Sequence, residues 1–224
     1  MSMFLPDFQG AARHAVGQLE GKLPGIYTYH SLKHTCEEVV GMTERLAILE
    51  GIDGEERMLM LTGAYFHDIG FTLQRDNHEL AGVQYIHHVL PQFGYSPDQV
   101  QVVEGIILAT RIPQRPNNLF EEIVDDADLD SLGRIDFWNR SLALRTELAM
   151  LGVYFTDQEW CERQRGFLRQ HHYFTVSAKQ LRDEQKLNNL QFLLDRCQET
   201  CPDVDWGEDV MSSPQPVRLF SEKN

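Results

Sequence analysis

The fold is decided by one stretch of the chain, which runs Met58-Leu59-Met60-Leu61-Thr62-Gly63-Ala64-Tyr65-Phe66-His67-Asp68. Its first nine residues are almost entirely apolar, as in a helix that is buried in a core. A histidine and an aspartate then follow directly. Burying two such polar side chains is costly unless something binds them. The stretch therefore predicts a core helix that delivers metal ligands at its end.

Further ligand-type residues lie on either side of this doublet. His30 and His34 are four residues apart, and an acidic cluster, Asp125-Asp126-Ala127-Asp128, comes later. Imidazoles together with carboxylates suit a divalent cation that also holds water. The combination indicates metal-assisted hydrolysis.

The composition limits the class of protein. The chain has 224 residues, of which 42% are hydrophobic, so it can form one large core. Its formal net charge of −14 disfavours nucleic-acid polymers and anionic membranes as partners. It does not exclude a small phosphate substrate, because a metal can reverse the field inside a cleft. The oligomeric state is not predicted.

The lack of targeting signals and the pattern of cysteines predict a cytoplasmic protein. The sequence lacks an apolar run long enough to cross a membrane and begins without the basic and apolar segments of a signal peptide. The four cysteines are Cys36, Cys161, Cys197 and Cys201. We expect them to be ordinary thiols in a reducing compartment.

Helical periodicity dominates the chain, and the alternation typical of strands is scarce. Capping-box patterns begin at Asp53, Asp76 and Thr156, and Ser96-Pro97 marks another helix start. The sequence therefore predicts one all-α domain over 1–201, followed by a loosely structured tail over 202–224. The predicted helices lie near 7–20, 31–50, 54–69, 77–91, 97–111, 119–130, 134–151, 156–172 and 177–199.

The order of these motifs resembles that of the HD-domain superfamily of metal-dependent phosphohydrolases. The residues that carry the resemblance are Tyr29-His30-Ser31-Leu32-Lys33-His34-Thr35, His67-Asp68 and Ala127-Asp128-Leu129. The resemblance covers residues 29–130, and residues 131–201 would form a helical extension. The resemblance implies a helical bundle.

The resemblance also implies four metal ligands: His34, His67, Asp68 and Asp128. Asp68 would be the ligand that bridges to a second ion, if one binds. Asp128 matches the final aspartate of the family better than Asp125, which would be a neighbour of the site or a surface charge. The metal could be Mn²⁺, Mg²⁺, Zn²⁺, Ni²⁺, Co²⁺ or Fe²⁺.

Catalytic roles are expected for two residues. The segment from Tyr29 to His34 is similar to the cyclic-nucleotide phosphodiesterase branch, in which the first histidine protonates the leaving group, although that branch usually has asparagine where Ser31 stands. His30 would take this role, and Asp68 or Asp128 could accept a proton from the attacking water.

Several more residues are candidates for contacts around the site. His78 could bind an anion, ligate a second metal or orient a ligand. Three cations are candidates for binding phosphate: Lys33, Arg75 and Arg111.

The sequence therefore predicts a phosphohydrolase or phosphodiesterase that acts on a small phosphorylated molecule, with nucleotides as the favoured class. The alternative is a non-catalytic module of the same type that binds a metal or nucleotide and signals through a partner. A di-iron oxygenase on the same scaffold ranks last.

Overall fold

The computed structural model describes residues 5–204, and within them every regular element is helical. The prediction of an all-α fold is confirmed. The α-helices are α1 (Phe8–Lys22), α2 (Val40–Leu49), α3 (Gly54–Phe66), α4 (His78–Val89), α5 (Pro97–Ala109), α6 (Leu119–Asp128), α7 (Phe137–Met150), α8 (Asp157–Gln170) and α9 (Val176–Thr200). A π-helix spans His34–Val39, and short 3₁₀-helices span Ile69–Thr72, Leu90–Phe93 and Asp130–Gly133.

Side-chain caps explain where several of these helices begin. Ser96 and Thr156 each form a complete capping box, with Gln99 and Glu159 respectively. The capping boxes predicted at Asp53 and Asp76 are wrong, because the Asp53 side chain makes no cap bond and the N-cap of α4 is Asn77 rather than Asp76. Asn77 has a left-handed backbone, with φ 53° and ψ 42°.

The predicted helix over 31–50 is divided in the structure. Residues 32 and 33 are α-helical, the π-helix His34–Val39 follows, and a regular α-helix resumes over Val40–Leu49. The predicted helix over 54–69 likewise ends at Phe66, and a 3₁₀-turn follows. Both departures lie at the polar residues singled out from the sequence, where π-turns and irregular backbone are common.

The described chain divides into two compact units. The first contains the residues up to Asp130 together with Phe174–Ala178. Helix α3 packs on α1, α2, α5 and α6 there. Its core is built from apolar side chains that include Phe66, Ile69, Ile86, Val103 and Ile107. This core fixes the end of α3, where the His-Asp doublet lies.

Two carboxylates hold the short segment Phe174–Ala178 in the first unit. Asp126 accepts hydrogen bonds from the backbone N–H groups of Phe174 and Thr175 and from the Thr175 hydroxyl, at 2.8, 2.9 and 2.7 Å. Glu50 accepts one from the Ser177 N–H at 2.9 Å. The acidic cluster of the sequence thus has a structural member, Asp126.

The second unit contains Ser131–Tyr173 and the described residues from Lys179 onward. The Trp160 indole donates to the Ser141 hydroxyl at 3.1 Å and so joins α8 to α7. A disulfide between Cys161 and Cys197 joins α8 to α9. The expectation that all four cysteines are ordinary thiols is wrong for this pair, because helix packing brings together two residues that are 36 apart in sequence.

No helix among residues 5–204 is both long and apolar enough to cross a membrane. The part of the predicted tail from 205 to 224 lies outside the described residues.

Candidate metal centre

The end of α3 places two polar side chains inside the first unit. His67 is fully buried, and Asp68 is 4% exposed. The His67 ring bonds through Nδ1 to the Ala64 carbonyl oxygen at 2.8 Å, so Nδ1 carries the proton. In the neutral ring, Nε2 is then a lone-pair donor that can bind a metal.

Four side chains from three separate parts of the chain meet at this point. His34 Nε2 lies 3.0 Å from Asp128 Oδ1 and 3.9 Å from Asp68 Oδ2. His67 Nε2 lies 3.2 Å from Asp68 Oδ2 and 3.6 Å from Asp128 Oδ1. Ligand atoms of His34, His67 and Asp68 all lie within 4.8 Å of one another. These are the four residues that the sequence predicts as metal ligands.

Buried atoms without partners test whether a metal fits here. His67 Nε2 and Asp68 Oδ2 are inaccessible to solvent, and neither has a hydrogen-bond partner among the described residues. Although they lie 3.2 Å apart, they are not aligned for a hydrogen bond. Unpaired buried polar atoms are costly, and a cation would satisfy both. Two imidazoles and two carboxylates are a suitable donor set for a divalent first-row metal.

Protonation of the metal-free cluster shows how strongly its charges interact. Burial by itself lowers the pKa of His67, but the negative charges of Asp68 and Asp128 outweigh this and raise it to about 9. Burial favours the neutral form of Asp68, yet His67 and His78 hold the pKa of its carboxyl well below the usual range. The carboxylates therefore attract positive charge, which protons supply when no cation is present.

His78 lies beside the cluster, on the side of the other Asp68 oxygen. Its Nε2 is 3.5 Å from Asp68 Oδ1, and its ring stacks on Phe71 with centroids 3.8 Å apart. Gly70 allows this approach, because a Cβ at that position would overlap the backbone carbonyl of His78. The side chains of His78 and Asp128 are 19% and 16% exposed, so solvent reaches the cluster next to them.

His30 lies near the cluster without joining it. Its ring centroid is 4.6 Å from that of Phe71, 6.2 Å from that of His34 and 6.5 Å from that of His78. Its charge nevertheless helps to lower the pKa of Asp68.

Asp125 does not join the cluster. It is fully buried, and neither carboxyl oxygen has a hydrogen-bond partner among the described residues. Burial raises the pKa of Asp125 to about 9, with the charges of Asp128 and Asp126 adding to the effect. Its carboxyl is therefore neutral near pH 7.

Residues 32–131 match the HD domain family, and this span contains all four residues of the cluster. The segment 32–131 is therefore an HD domain. His30 lies two residues before the span of the HD domain that matches.

Solved structures share the fold of this HD-domain protein. A predicted HD superfamily hydrolase from an uncultured Thermotogales bacterium is 18% identical with a TM-score of 0.55, over 87% of this chain and 92% of its own. Bacillus subtilis YpgQ, in complex with ADP, is 18% identical with a TM-score of 0.61, over 87% and 100%. A Lactobacillus plantarum protein is 18% identical with a TM-score of 0.64, over 86% and 96%. No curated protein sequence matches the chain significantly.

The predicted phosphate-binding cations of the HD domain differ in their placement. The Arg111 guanidinium donates to Asn77 Oδ1 at 3.0 Å, and Asn77 directly precedes His78. Lys33 is exposed and Arg75 is partly exposed. Neither makes an ion pair or side-chain hydrogen bond with the part of the chain that the structure describes. Only Arg111 is tied to a residue beside the cluster.

Sequence reasoning missed one polar neighbour of the cluster, Glu38. Its Oε2 lies 3.3 Å from His34 Nδ1. The spacing of four residues from His34 is the signal that could have identified it.

Proposed function

We propose that this protein is a metal-dependent phosphohydrolase that acts on a small phosphorylated molecule, with nucleotides as the substrate class. The observation that carries the proposal is the convergence of His34, His67, Asp68 and Asp128, with unpartnered buried ligand atoms at their meeting point. The superfamily is one of metal-dependent hydrolases, which supports the reaction class.

These four residues would hold one divalent cation. When bound, such a cation offsets the charge of phosphate and lowers the pKa of a water molecule. The two carboxylates would offset the charge of the cation, and the two histidines would supply the Nε2 atoms that face the cluster. His78, whose Nε2 lies 3.5 Å from Asp68 Oδ1, would be a further ligand together with Asp68 if a second ion binds.

Two side chains would move protons during hydrolysis. Asp68, or Asp128, accepts a proton from the attacking water, because each has an oxygen at the meeting point of the cluster. His30 donates a proton to the leaving oxygen from its position next to the rings of Phe71 and His78. Asp125 is fully buried, and we assign it no role in either transfer.

The substrate class is supported from two sides. YpgQ, which shares the fold, was crystallised with ADP. In this chain, the exposed Arg111 donates a hydrogen bond to Asn77, which directly precedes α4. A phosphate group bound near His78 would therefore lie close to the positive charge of Arg111. Lys33 and Arg75 are further candidates for the same role.

Turnover by metal-stripped protein tests the proposal. The panel contains nucleoside mono-, di- and triphosphates and simple phosphate esters, with each divalent ion added back separately. We expect hydrolysis to require a metal. The Asp68→Asn variant should lose this activity, whereas the control Asp76→Asn, at an exposed position, should keep it. Hydrolysis that survives Asp68→Asn would contradict the proposal. Stoichiometric binding without turnover would instead favour the non-catalytic module.

A further inference from the structure

His34, the first histidine of the cluster, lies on a π-helix, the only one in the part of the chain that the structure describes. His34 begins this helix, and Glu38 lies four residues later on it. Isolated π-turns are rare and occur frequently at functional sites. Here the turn brings the Glu38 carboxylate within 3.3 Å of His34 Nδ1, and the Glu38 side chain is only 7% exposed.

The two nitrogens of His34 therefore face different groups. Nε2 points to the cluster, where it lies 3.0 Å from Asp128 Oδ1, while Nδ1 points away from it, to Glu38. A carboxylate accepts a hydrogen bond from Nδ1–H and thereby leaves the Nε2 lone pair for a metal. His67 has the same arrangement with a neutral partner, the Ala64 carbonyl.

We propose that Glu38 is a positioning residue that fixes the tautomer and orientation of His34 for metal binding. The inference rests on the proposed metal centre and deepens it. The acceptor at His34 is a side-chain carboxyl oxygen, which a substitution can remove, whereas the acceptor at His67 is a backbone carbonyl. Loss of Glu38 would let the His34 ring rotate or change tautomer while Asp68, His67 and Asp128 remain in place.

Two measurements on the same protein test this role: the metal affinity and the tautomer of His34. Zn²⁺ and Mn²⁺ are titrated calorimetrically into the metal-stripped full-length protein, and nitrogen-15 NMR of labelled histidine reports which ring nitrogen is protonated. Glu38→Ala is expected to weaken metal binding about 10–100-fold. Glu38→Gln, which keeps an acceptor oxygen, is expected to lose less. Glu37→Ala, on the exposed neighbour of the same turn, is the matched control and should bind within about twofold of wild type.

Unfolding curves of the metal-free variants distinguish a loss of folding from a loss of metal affinity. If Glu38→Ala does not fold, the same measurements are made on Glu38→Gln. An unchanged affinity and an unchanged His34 tautomer in Glu38→Ala would overturn the role of Glu38 and leave the metal centre standing. If His34→Ala also kept the full affinity, the proposed metal centre itself would fail.

Discussion

His34 and Asp128 are 94 residues apart in the sequence, and the fold brings His34 Nε2 to 3.0 Å from Asp128 Oδ1. The contact joins the π-helix before α2 to the end of α6, and α3 lies against both helices. The four-residue cluster thus depends on the packing of three helices rather than on one local motif. Changes in that packing should alter the metal site even where they touch none of its ligands.

Gly70→Ala tests the packing of α4 against the turn that follows the His-Asp doublet. An added Cβ would overlap the His78 carbonyl, so α4 must shift. We expect the free energy of unfolding to fall by about 1–3 kcal/mol, and metal affinity to fall with it. Gly17→Ala is the control, since that site on α1 is open and exposed. It should gain about 0.5–1 kcal/mol in urea unfolding. An unperturbed Gly70→Ala protein would show that the close approach is not needed.

Asp126→Asn tests the anchor of the Phe174–Ala178 segment. The carboxylate accepts three hydrogen bonds, and an amide can replace only part of that set. We expect a loss of about 1.5–3 kcal/mol, the usual contribution of hydrogen bonds to a charged group. Thr175→Val, which removes the hydroxyl donor alone, should lose less. Chemical denaturation measures both variants, and equal losses would assign the effect to the hydroxyl rather than to the carboxylate.

His171→Phe tests the acid sensitivity of the second unit. Burial lowers the pKa of His171 to about 2 from the ordinary 6.5, and the charges of Lys186 and His172 add to the shift. Between these values the unfolded chain binds a proton that the native chain does not, so stability falls as the pH drops below about 6.5. Between pH 6.5 and 5 this one residue contributes a loss of up to about 2 kcal/mol.

Chemical denaturation at pH 6.5 and at pH 5, followed by tryptophan fluorescence, measures this effect. The His171→Phe protein should lose less stability on acidification than the wild type does. Equal pH dependence in wild type and His171→Phe would show that His171 is accessible to protons in the native state.

His30→Gln separates catalysis from metal binding. His30 lies near the cluster but outside it, with its ring 6.2 Å from that of His34. A general acid contributes roughly 10²–10⁴-fold to rate, so we expect kcat to fall by that range while the metal affinity stays unchanged. Steady-state kinetics and metal titration on the same sample measure both. A fall in metal affinity as large as that in kcat would place His30 among the ligands.

The helical class could be predicted because its signals are local, such as the apolar run before His67 that marks a core helix. The set of four cluster residues came from the order of the motifs and its resemblance to the HD-domain superfamily, which also favoured Asp128 over Asp125. The π-helix at His34 could not be predicted, because an α-turn and a π-turn share the same residue preferences and tertiary packing decides between them. The Cys161–Cys197 bond likewise depends on how α8 and α9 pack.

Asn77 illustrates the same limit beside the site. A capping-box pattern at Asp76 is a sound local prediction, yet α4 begins after Asn77 in a left-handed conformation. The carbonyl of His78 has to pack on Gly70, and Arg111 holds the Asn77 side chain from the end of α5. These long-range contacts outweigh the contribution of one cap, which is about 1 kcal/mol.

The most direct test is a crystal structure of the Mn²⁺-loaded protein with anomalous diffraction recorded at the manganese edge. The account predicts a strong anomalous peak about 2.0–2.3 Å from His34 Nε2, His67 Nε2 and one oxygen each of Asp68 and Asp128, and no peak there in His67→Ala. A peak bound elsewhere, or an empty cluster at saturating Mn²⁺, would contradict the central claim that these four side chains form one metal centre.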